Sequence, residues 1–394
     1  MLTLTPPGRP LDRRTLTTPG GFCWWYGDVV DGNGNGVVVI GAFALPFLER
    51  RDRPTEPERR PSLNVAVYEK GVCTFYGLLE LDKPHENQLA NDALQAPCAW
   101  DHADPIAGRG ERWRFGSNTL GFDVDSDGVG TFFADLDVAL PVGTLRGRVA
   151  VSGPVRQADG HEFHTLGTPP AVEGVAHDWS PQLGPSRGQA RLTLDGRELV
   201  INGSGYHDRN GALLPLWEQG IGWWLWGRAD VDTTDGGRES RIVYALWPRG
   251  DAPVAALGVV VGADGRSRVI DVDIDVWPLH RTWLGMGEVR RLTVRERSSG
   301  APFLVGEVAD RVDDGPFYLR HTLRAGIAAP SVDVRGFLEV VDVERIDRPW
   351  QRPFVRMRVT PAEAKASSLW HPLFAGSRDG RIGRQLRWLV GGGP

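Results

Sequence analysis

The chain contains little cysteine: three residues, Cys23, Cys73 and Cys98, among 394. This odd, sparse set has no paired spacing, which argues against a disulfide framework and predicts reduced thiols in a reducing compartment. The Cys-x-x-Cys and Cys/His spacings of zinc sites are also absent, so we expect no metal.

Long apolar runs and basic runs are missing as well. No segment approaches the roughly 20 apolar residues of a membrane span, and residues 1–14 lack the apolar core of a secretory signal. The formal net charge is −5 with both signs mixed along the chain, which argues against nucleic-acid binding. The glycine-rich segments at 32–36 and 285–287 lack a strand–helix context, so nucleotide binding is not expected.

These absences together predict where the protein is located and which partners it has. We expect a cytoplasmic protein that uses no cofactor and binds no nucleic acid. A lipophilic substrate would then reach it through peripheral contact with the inner membrane or through a carrier. The oligomeric state is not indicated by any pattern in the sequence.

What the chain has in quantity is turn residues and indoles. Fifty Gly and 29 Pro favour many turns and short strands, and 15 Trp is an unusually high number. Two alternating segments, Phe22–Val30 and 37–43, flank a turn of Asp, Gly and Asn and predict a hairpin. Similar segments recur to residue 343, which predicts an all-β barrel or sandwich. Short helices are predicted only at 316–325 and 361–368.

The length predicts two domains. A stretch rich in Pro, Gly and Ser at 181–188 is the predicted junction between them. The expected division comprises an N-terminal extension, an N-terminal β domain, a C-terminal β domain and a C-terminal extension, at 1–17, 18–185, 186–360 and 361–394.

The most informative stretch is Gly-Ser-Gly-Tyr-His-Asp-Arg-Asn at 203–210. In a strand, Tyr206 and Asp208 point to one face and His207 to the other. The two glycines, Gly203 and Gly205, carry no Cβ and allow another group to approach the backbone closely.

Asp208 is the candidate catalytic residue of this stretch. A carboxylic acid in an apolar pocket stays neutral because burial disfavours its charged form. Indoles nearby would stabilise a carbocation through cation–π contacts of about 0.5–2 kcal/mol each. Asp208 could therefore protonate an unactivated alkene. The alternative is that Asp208 caps the turn formed with 209–211, where Asp and Asn are common.

The Gly-x-Gly-Tyr-x-Asp-x-Asn motif, followed by Trp224-x-Trp226-x-Arg228, resembles the carotenoid 1,2-hydratase family, also called hydroxyneurosporene synthase. Further matching pieces occur in order along 18–360, and their order is more specific than any one piece. They are Pro19-Gly20-Gly21, Trp24-Trp25-Tyr26 with Asp28, 63–68, His177-Asp178-Trp179-Ser180-Pro181, Pro316-Phe317-Tyr318 and Arg348-Pro349-Trp350. The resemblance implies two tandem lipocalin-like β-barrel domains with few short helices.

The resemblance also implies roles for the residues near Asp208. Tyr206 would hydrogen-bond the acid or position water, whereas its alternative is packing in a barrel strand. His177 and Trp179 match a His-x-Trp element of the family. His177 would accept a proton from the attacking water or orient Asp208, and its alternative is a linker histidine.

An aromatic lining is expected for a long apolar ligand. Strand alternation places Trp224 and Trp226 on one face and Trp223 on the other. Ordinary core packing is the alternative for each aromatic side chain. The candidate lining residues are Trp24, Tyr26, Trp217, Trp223, Trp224 and Trp226. Asp28 shares the face of Trp24 and Tyr26, and a turn at a strand end is its favoured interpretation.

Departures from the family pattern keep more than one function open. Leu225 stands where the family tends to carry an acidic residue, Gly227 replaces a small hydroxyl residue, and Leu213-Leu214 replaces part of an acidic stretch, so we expect a less polar pocket. The first hypothesis is a cofactor-free hydro-lyase that hydrates the terminal C1=C2 bond of an acyclic carotenoid or other isoprenoid. The second is a terpenoid or polyene cyclase, including a pericyclic one of Diels–Alder type. The third is a non-catalytic lipid or polyene carrier.

Overall fold

The structure is a computed structural model that describes residues 2–8, 12–45, 47, 54–81, 100–101, 110–140, 143–157, 164–166, 177–249, 254–277, 280–282, 285–346, 348–356 and 358–361. Cys23 and Cys73 are free thiols. Cys98 and all but the first residue of the helix predicted at 361–368 lie outside the described ranges.

The first of two β units is an open, strongly curled sheet. Its strands in chain order are β1 (Leu2–Leu4), β2 (Phe22–Val30), β3 (Gly36–Phe43), β4 (Pro61–Glu69), β5 (Val72–Glu80), β6 (Trp100–Asp101), β7 (Glu111–Phe115), β8 (Asn118–Val124), β9 (Val129–Leu140), β10 (Gly143–Pro154), β11 (His164–Leu166), β12 (His177–Pro181), β13 (Ser186–Leu194) and β14 (Arg197–Ala212). Its spatial order is β5-β4-β3-β2-β14-β13-β10-β9-β8-β7-β6, and β12 joins β1 to β14.

The second unit is a closed barrel of eight strands. They are β15 (Ile221–Asp232), β16 (Arg238–Pro248), β17 (Ala255–Gly262), β18 (Ser267–Trp277), β21 (Arg291–Glu296), β22 (Pro302–Asp314), β23 (Tyr318–Gly326) and β24 (Gly336–Asp342), and β24 closes the barrel by pairing with β15. A small hairpin, β19 (His280–Arg281) and β20 (Gly287–Glu288), lies beside it. After the barrel, β25 (Thr360–Pro361) returns to pair with β5 of the first unit.

Helix is limited to short segments within the described residues. They are α1 (Arg14–Thr17), α2 (Val343–Ile346) and α3 (Arg352–Arg356), with single 3₁₀ turns at Pro57–Arg59 and Leu216–Glu218. The prediction of an all-β fold is confirmed. The helix predicted at 316–325 is wrong, because this segment forms strand β23. Its Leu319 and Leu323 alternate into the barrel core, and this packing overrides the good helix propensity of Leu, Arg and Ala.

The sheets divide the chain at a different place from the predicted junction. Strands β13 and β14 lie after residue 185 but pair with β10 and β2, so they belong to the first unit. The boundary between the sheets falls in the segment that joins Ala212 to Ile221. In addition, the first unit is a half-barrel rather than a second closed barrel.

The described residues form three apolar cores instead of the two that two barrels would require. One lies within the curled sheet and receives Trp25 and Val29 of β2. A second fills the barrel and receives Leu225 and Leu338. The third lies between the outer face of the sheet and the outer face of the barrel, where Tyr26 packs near Trp226. Strands β2 and β15 therefore bury both of their faces.

Glycines in β14 permit this close packing, as the sequence predicts. A Cβ added at Gly203 would overlap the carbonyl group of Val30 in β2. One added at Gly205 would lie 2.6 Å from Cγ1 of Val151. The turn predicted at Asp28 is wrong, because Asp28 is a fully buried strand residue that forms an ion pair with Arg228 of the barrel.

Candidate active site between the two β units

A cavity of about 140 Å³ opens in the third core, between the sheet and the barrel. Strand alternation and register place one row of side chains on each wall. On the sheet, the row of directly paired residues is Asp208, Tyr26, Ile40, Asn64 and Leu78. On the barrel, the facing row is Tyr244, Trp226, Glu339 and Arg320.

Six apolar and six polar residues complete the wall. The apolar ones are Trp24, Ala42, Leu45, Phe47, Trp224 and Phe317, and the polar ones are Ser62, Tyr76, Asn210, Asp313, Tyr318 and Arg358. An engineered cavity of about 150 Å³ holds one benzene molecule. The volume here therefore suits one small hydrocarbon unit, such as the end of an isoprenoid chain.

Asp208 is held by three hydrogen-bond donors. Trp179 Nε1 and Tyr206 OH each donate to Oδ2 at 2.9 Å, and Asn210 Nδ2 donates to Oδ1 at 2.9 Å. A carboxylate offers about four acceptor positions, so one position on Oδ1 remains. A proton on Oδ1 can therefore coexist with all three hydrogen bonds.

Burial controls the proton affinity of Asp208. Its side chain is 4% exposed, and burial raises its pKa to about 7, against the opposing effect of the Trp179 and Tyr206 hydrogen bonds. The negative charges of Glu339 and Asp28 add to the increase. At neutral pH a large fraction of Asp208 is thus a neutral acid that faces an apolar cavity, as general acid catalysis requires.

Tyr206, Trp179 and His177 lie behind Asp208 and are not among the described residues that line the cavity. Tyr206 and Trp179 contact the acid directly, whereas His177 contacts Asn210, with Nε2 3.0 Å from Oδ1. Burial lowers the pKa of His177 to about 4, so the ring is neutral. Because the amide oxygen can only accept, Nε2 carries the proton and orients Asn210. His177 thus acts on Asp208 through Asn210.

Four of the six predicted lining residues form the cavity wall: Trp24, Tyr26, Trp224 and Trp226. The structure does not bring the other two to it. Trp223 points to the opposite face, as alternation predicts, and stacks on Trp247 with ring centroids 3.4 Å apart. Trp217 lies in the 3₁₀ turn before β15, where its carbonyl accepts a hydrogen bond from Arg249.

Leu225 and Gly227, two of the departures from the family pattern, lie outside the cavity lining. Leu225 is fully buried in the barrel core, and a Cβ at Gly227 would face Leu338 of the same core. Neither residue lines the cavity, so the expectation that these two substitutions make it less polar is wrong.

Sequence reasoning missed the polar residues of the barrel wall. Arg320 donates from Nε to Glu339 at 2.8 Å and from Nη1 to the hydroxyl of Tyr68 at 2.7 Å. Arg358 donates to Asp313 at 2.6 Å. Strand alternation could have identified Arg320. It lies two residues after Tyr318 of the Pro-Phe-Tyr segment, so both side chains point to the same face of β23.

Within the described ranges, no group of three or more His, Cys, Asp or Glu side chains is placed to hold a metal ion. No helix in these ranges has the length and apolar character needed to cross a membrane.

Comparison with known proteins gives one family and several relatives. The family profile for carotenoid hydratase CrtC matches residues 135–368, more than half of the chain. A hydroxyneurosporene dehydrogenase from Chlorobaculum tepidum is 26% identical over 381 residues, which cover 90% of this chain and 91% of that protein.

Two solved structures share the fold. A Nitrosomonas europaea structure described as AttH gives a TM-score of 0.53 at 14% identity, covering 86% of this chain and 98% of that one. The structure of CghA with Sch210972 gives 0.50 at 13% identity, covering 82% and 89%. At these identities the similarity concerns the fold alone.

Proposed function

Since this chain belongs to the carotenoid hydratase CrtC family, we propose that it adds water to the terminal C1=C2 double bond of an acyclic carotenoid or a related isoprenoid. The favoured substrates are of the lycopene or neurosporene type. Family membership supports a hydratase-like enzyme, and the site chemistry supports the finer assignment. The observation that carries it is a buried acid, Asp208, whose pKa is raised to about 7 in an aromatic cavity.

The reaction begins with protonation of the alkene. Asp208 gives the proton on Oδ1 to C2, and a tertiary cation forms at C1. Tyr26 of the sheet wall contacts Trp226 of the barrel wall, with ring centroids 5.3 Å apart. Trp24 is a further aromatic residue of the cavity lining. Each ring face that the cation meets lowers its free energy by about 0.5–2 kcal/mol. Water then forms a bond to C1 and releases one proton, which gives a tertiary alcohol.

The cavity volume supports action at a chain end. A cavity of about 140 Å³ accepts the terminal isoprenoid unit, and the rest of a polyene extends beyond it. Ile40, Leu78 and Phe47 provide apolar contacts to the methyl groups of that unit. Each buried CH₂ group stabilises binding by about 0.8 kcal/mol.

The test uses purified protein with lycopene and, separately, neurosporene in isotopically labelled water. We expect an alcohol that carries solvent label, and a loss of about 10²–10⁴-fold in its rate of formation in Asp208→Asn. Liquid chromatography with mass spectrometry measures both. Asp230→Asn is the matched control, because Asp230 is a buried carboxylate with a raised pKa that lies outside the cavity lining. Full activity in Asp208→Asn would reject the assignment of the acid.

The same experiment separates the other two hypotheses. A product isomeric with its substrate would indicate a cyclase. Binding without turnover in the parent protein, retained in Asp208→Asn, would indicate a carrier. A cyclase would need a cavity that excludes water. Leu225 and Gly227 face the barrel core and do not make the cavity less polar, so we favour hydration over cyclisation. The polar wall that includes Asn64, Glu339 and Arg320 gives water hydrogen-bond partners.

A further inference from the structure

A second carboxylate, that of Glu339, faces the same cavity as Asp208. It lies on β24, directly beside Trp226 on one side and Arg320 on the other. Its Oε1 accepts a hydrogen bond from Arg320 Nε at 2.8 Å. Glu339 is 8% exposed and Arg320 1% exposed, so this ion pair is buried in the wall. The two carboxyl groups therefore have different partners: Asp208 is held by neutral donors, whereas Glu339 is paired with a guanidinium group.

The negative charge of Glu339 affects the pKa values of several residues that line the cavity. It contributes to the raised pKa of Asp208. It also contributes to the raised pKa values of Tyr26, Tyr244 and Tyr318, although burial is the largest cause in each case. Glu339 thus lies within electrostatic reach of the acid and of the aromatic rings that would surround a cation.

The other basic groups near the cavity are poorly suited to accept a proton. The neutral His177 lies behind Asn210 and outside the lining. Asp28 also influences Asp208, but it pairs with Arg228 and does not line the cavity. Asp313 also lines the cavity and is paired with Arg358, but it is not among the charges that raise the pKa of Asp208. This comparison leaves Glu339 as the lining carboxylate that acts on Asp208.

We propose that Glu339 is the catalytic base that accepts the proton of the attacking water. The inference rests on the proposed hydration. Asp208 transfers its proton to C2 and forms the C–H bond, water oxygen forms the C1–O bond, and one water proton passes to Glu339. Glu339 then releases this proton to solvent, and Asp208 takes one up. The sum is the addition of one water molecule. Arg320 is a positioning residue that fixes the carboxylate on the barrel wall.

Azide provides a sharp test, because this anion can capture a cation without losing a proton. Replacing Glu339 by Gln removes the base and leaves the positive charge of Arg320 without its carboxylate. We expect Glu339→Gln to form the alcohol about 10²-fold more slowly or worse. With sodium azide it is expected to form the tertiary organic azide, through a proton from Asp208 and a C1–N bond. Mass spectrometry measures both products.

Three variants act as controls. Asp208→Asn forms no cation and is expected to yield neither alcohol nor azide adduct. Asp313→Asn removes another ion-paired carboxylate of the wall, and no azide adduct beyond that of the parent is expected. Glu339→Asp keeps the negative charge, so it is expected to retain more hydration than Glu339→Gln. Circular dichroism and quenching of tryptophan fluorescence by substrate check folding and binding in each variant.

The outcomes separate the two proposals. No alcohol from the parent protein rejects the hydratase function and this inference with it. If the parent makes alcohol, near-parental hydration by Glu339→Gln rejects only the base. Loss of hydration without an azide adduct, in a variant that folds and binds, also rejects only the base. Equal rates of hydration by Glu339→Asp and Glu339→Gln would also reject the role of Glu339 as the base, but not the hydratase function.

Discussion

Asp208 is subject to two opposing effects. Burial disfavours its carboxylate, whereas three hydrogen bonds from Trp179, Tyr206 and Asn210 favour it. Burial is the larger effect, and the pKa rises from 3.8 to about 7. The donors keep the carboxyl group in one orientation and limit the size of this increase. A group tuned in this way is half protonated close to neutral pH.

This balance predicts a pH dependence. Only protonated Asp208 can start the reaction, so the rate of hydration should fall about tenfold per pH unit above about pH 7. Tyr206→Phe removes a donor that stabilises the carboxylate by about 1.5–3 kcal/mol, so the pKa rises and the falling limb moves to higher pH by about one to two units. Rate profiles of the two proteins measure the shift. An unchanged midpoint, or no activity at any pH, would contradict the positioning role of Tyr206.

At the scale of elements, β14 carries the acid and is also the strand in closest contact with β2. Gly203 lies against the Val30 carbonyl, which leaves no room for a side chain. This close approach fixes the register in which Asp208 pairs with Tyr26. A substitution at Gly203 would therefore displace Asp208, which lies five residues further along the same strand.

Gly203→Ala is expected to lower the free energy of unfolding by about 1–3 kcal/mol, because overpacking against backbone forces the strands apart. Gly32→Ala is the control, since its Cβ would lie 3.4 Å from Asp333, an ordinary contact. We expect the control to change stability by less than about 0.5 kcal/mol. Thermal denaturation of both variants checks the difference. Equal melting temperatures would show that the strands separate without cost.

Local patterns predicted most of the strands and part of the site. Alternation placed Trp224 and Trp226 on one face and Trp223 on the other, because side-chain direction in a strand depends only on the backbone. It failed for β23, whose good helix formers are held in a strand by barrel packing. Asp28 was misjudged because its partner, Arg228, lies 200 positions away and on the other unit.

The cavity itself was beyond sequence reasoning for a related reason. Its two walls are outer faces of different sheets, and no local pattern records which outer faces meet. A charged residue in a strand, such as Glu339 or Arg320, ordinarily indicates a face in contact with water. Only the docking of the two units buries this face and turns the ion pair into part of a site.

On the scale of the whole molecule, a buried ion pair joins the two units next to the cavity. Asp28 of the sheet and Arg228 of the barrel are 0% and 2% exposed, and Arg228 also bonds Ser204 of β14. Arg228 belongs to the Trp-x-Trp-x-Arg motif. Alternation directs Trp224, Trp226 and Arg228 to the same face, so two members of the motif line the cavity and the third holds the walls together.

Arg228→Met is expected to lower the free energy of unfolding by about 3–5 kcal/mol, because it leaves the charge of Asp28 buried without a partner. The double variant Asp28→Asn/Arg228→Met should recover part of this loss, since neither charge remains. Urea denaturation of the parent, both single variants and the double variant completes the cycle. Strictly additive losses would mean that the two side chains do not interact in solution.

The separation of three cores has a practical consequence for engineering the protein. Each wall strand carries two sets of positions: one set packs into the core of its own unit, and the other faces the cavity. A mutant library confined to Ile40, Ala42, Leu78 and Trp224 would reshape the bound chain end while leaving the cores of the sheet and the barrel unaltered. Substitutions at these positions should therefore change the range of accepted substrates with little loss of folding stability.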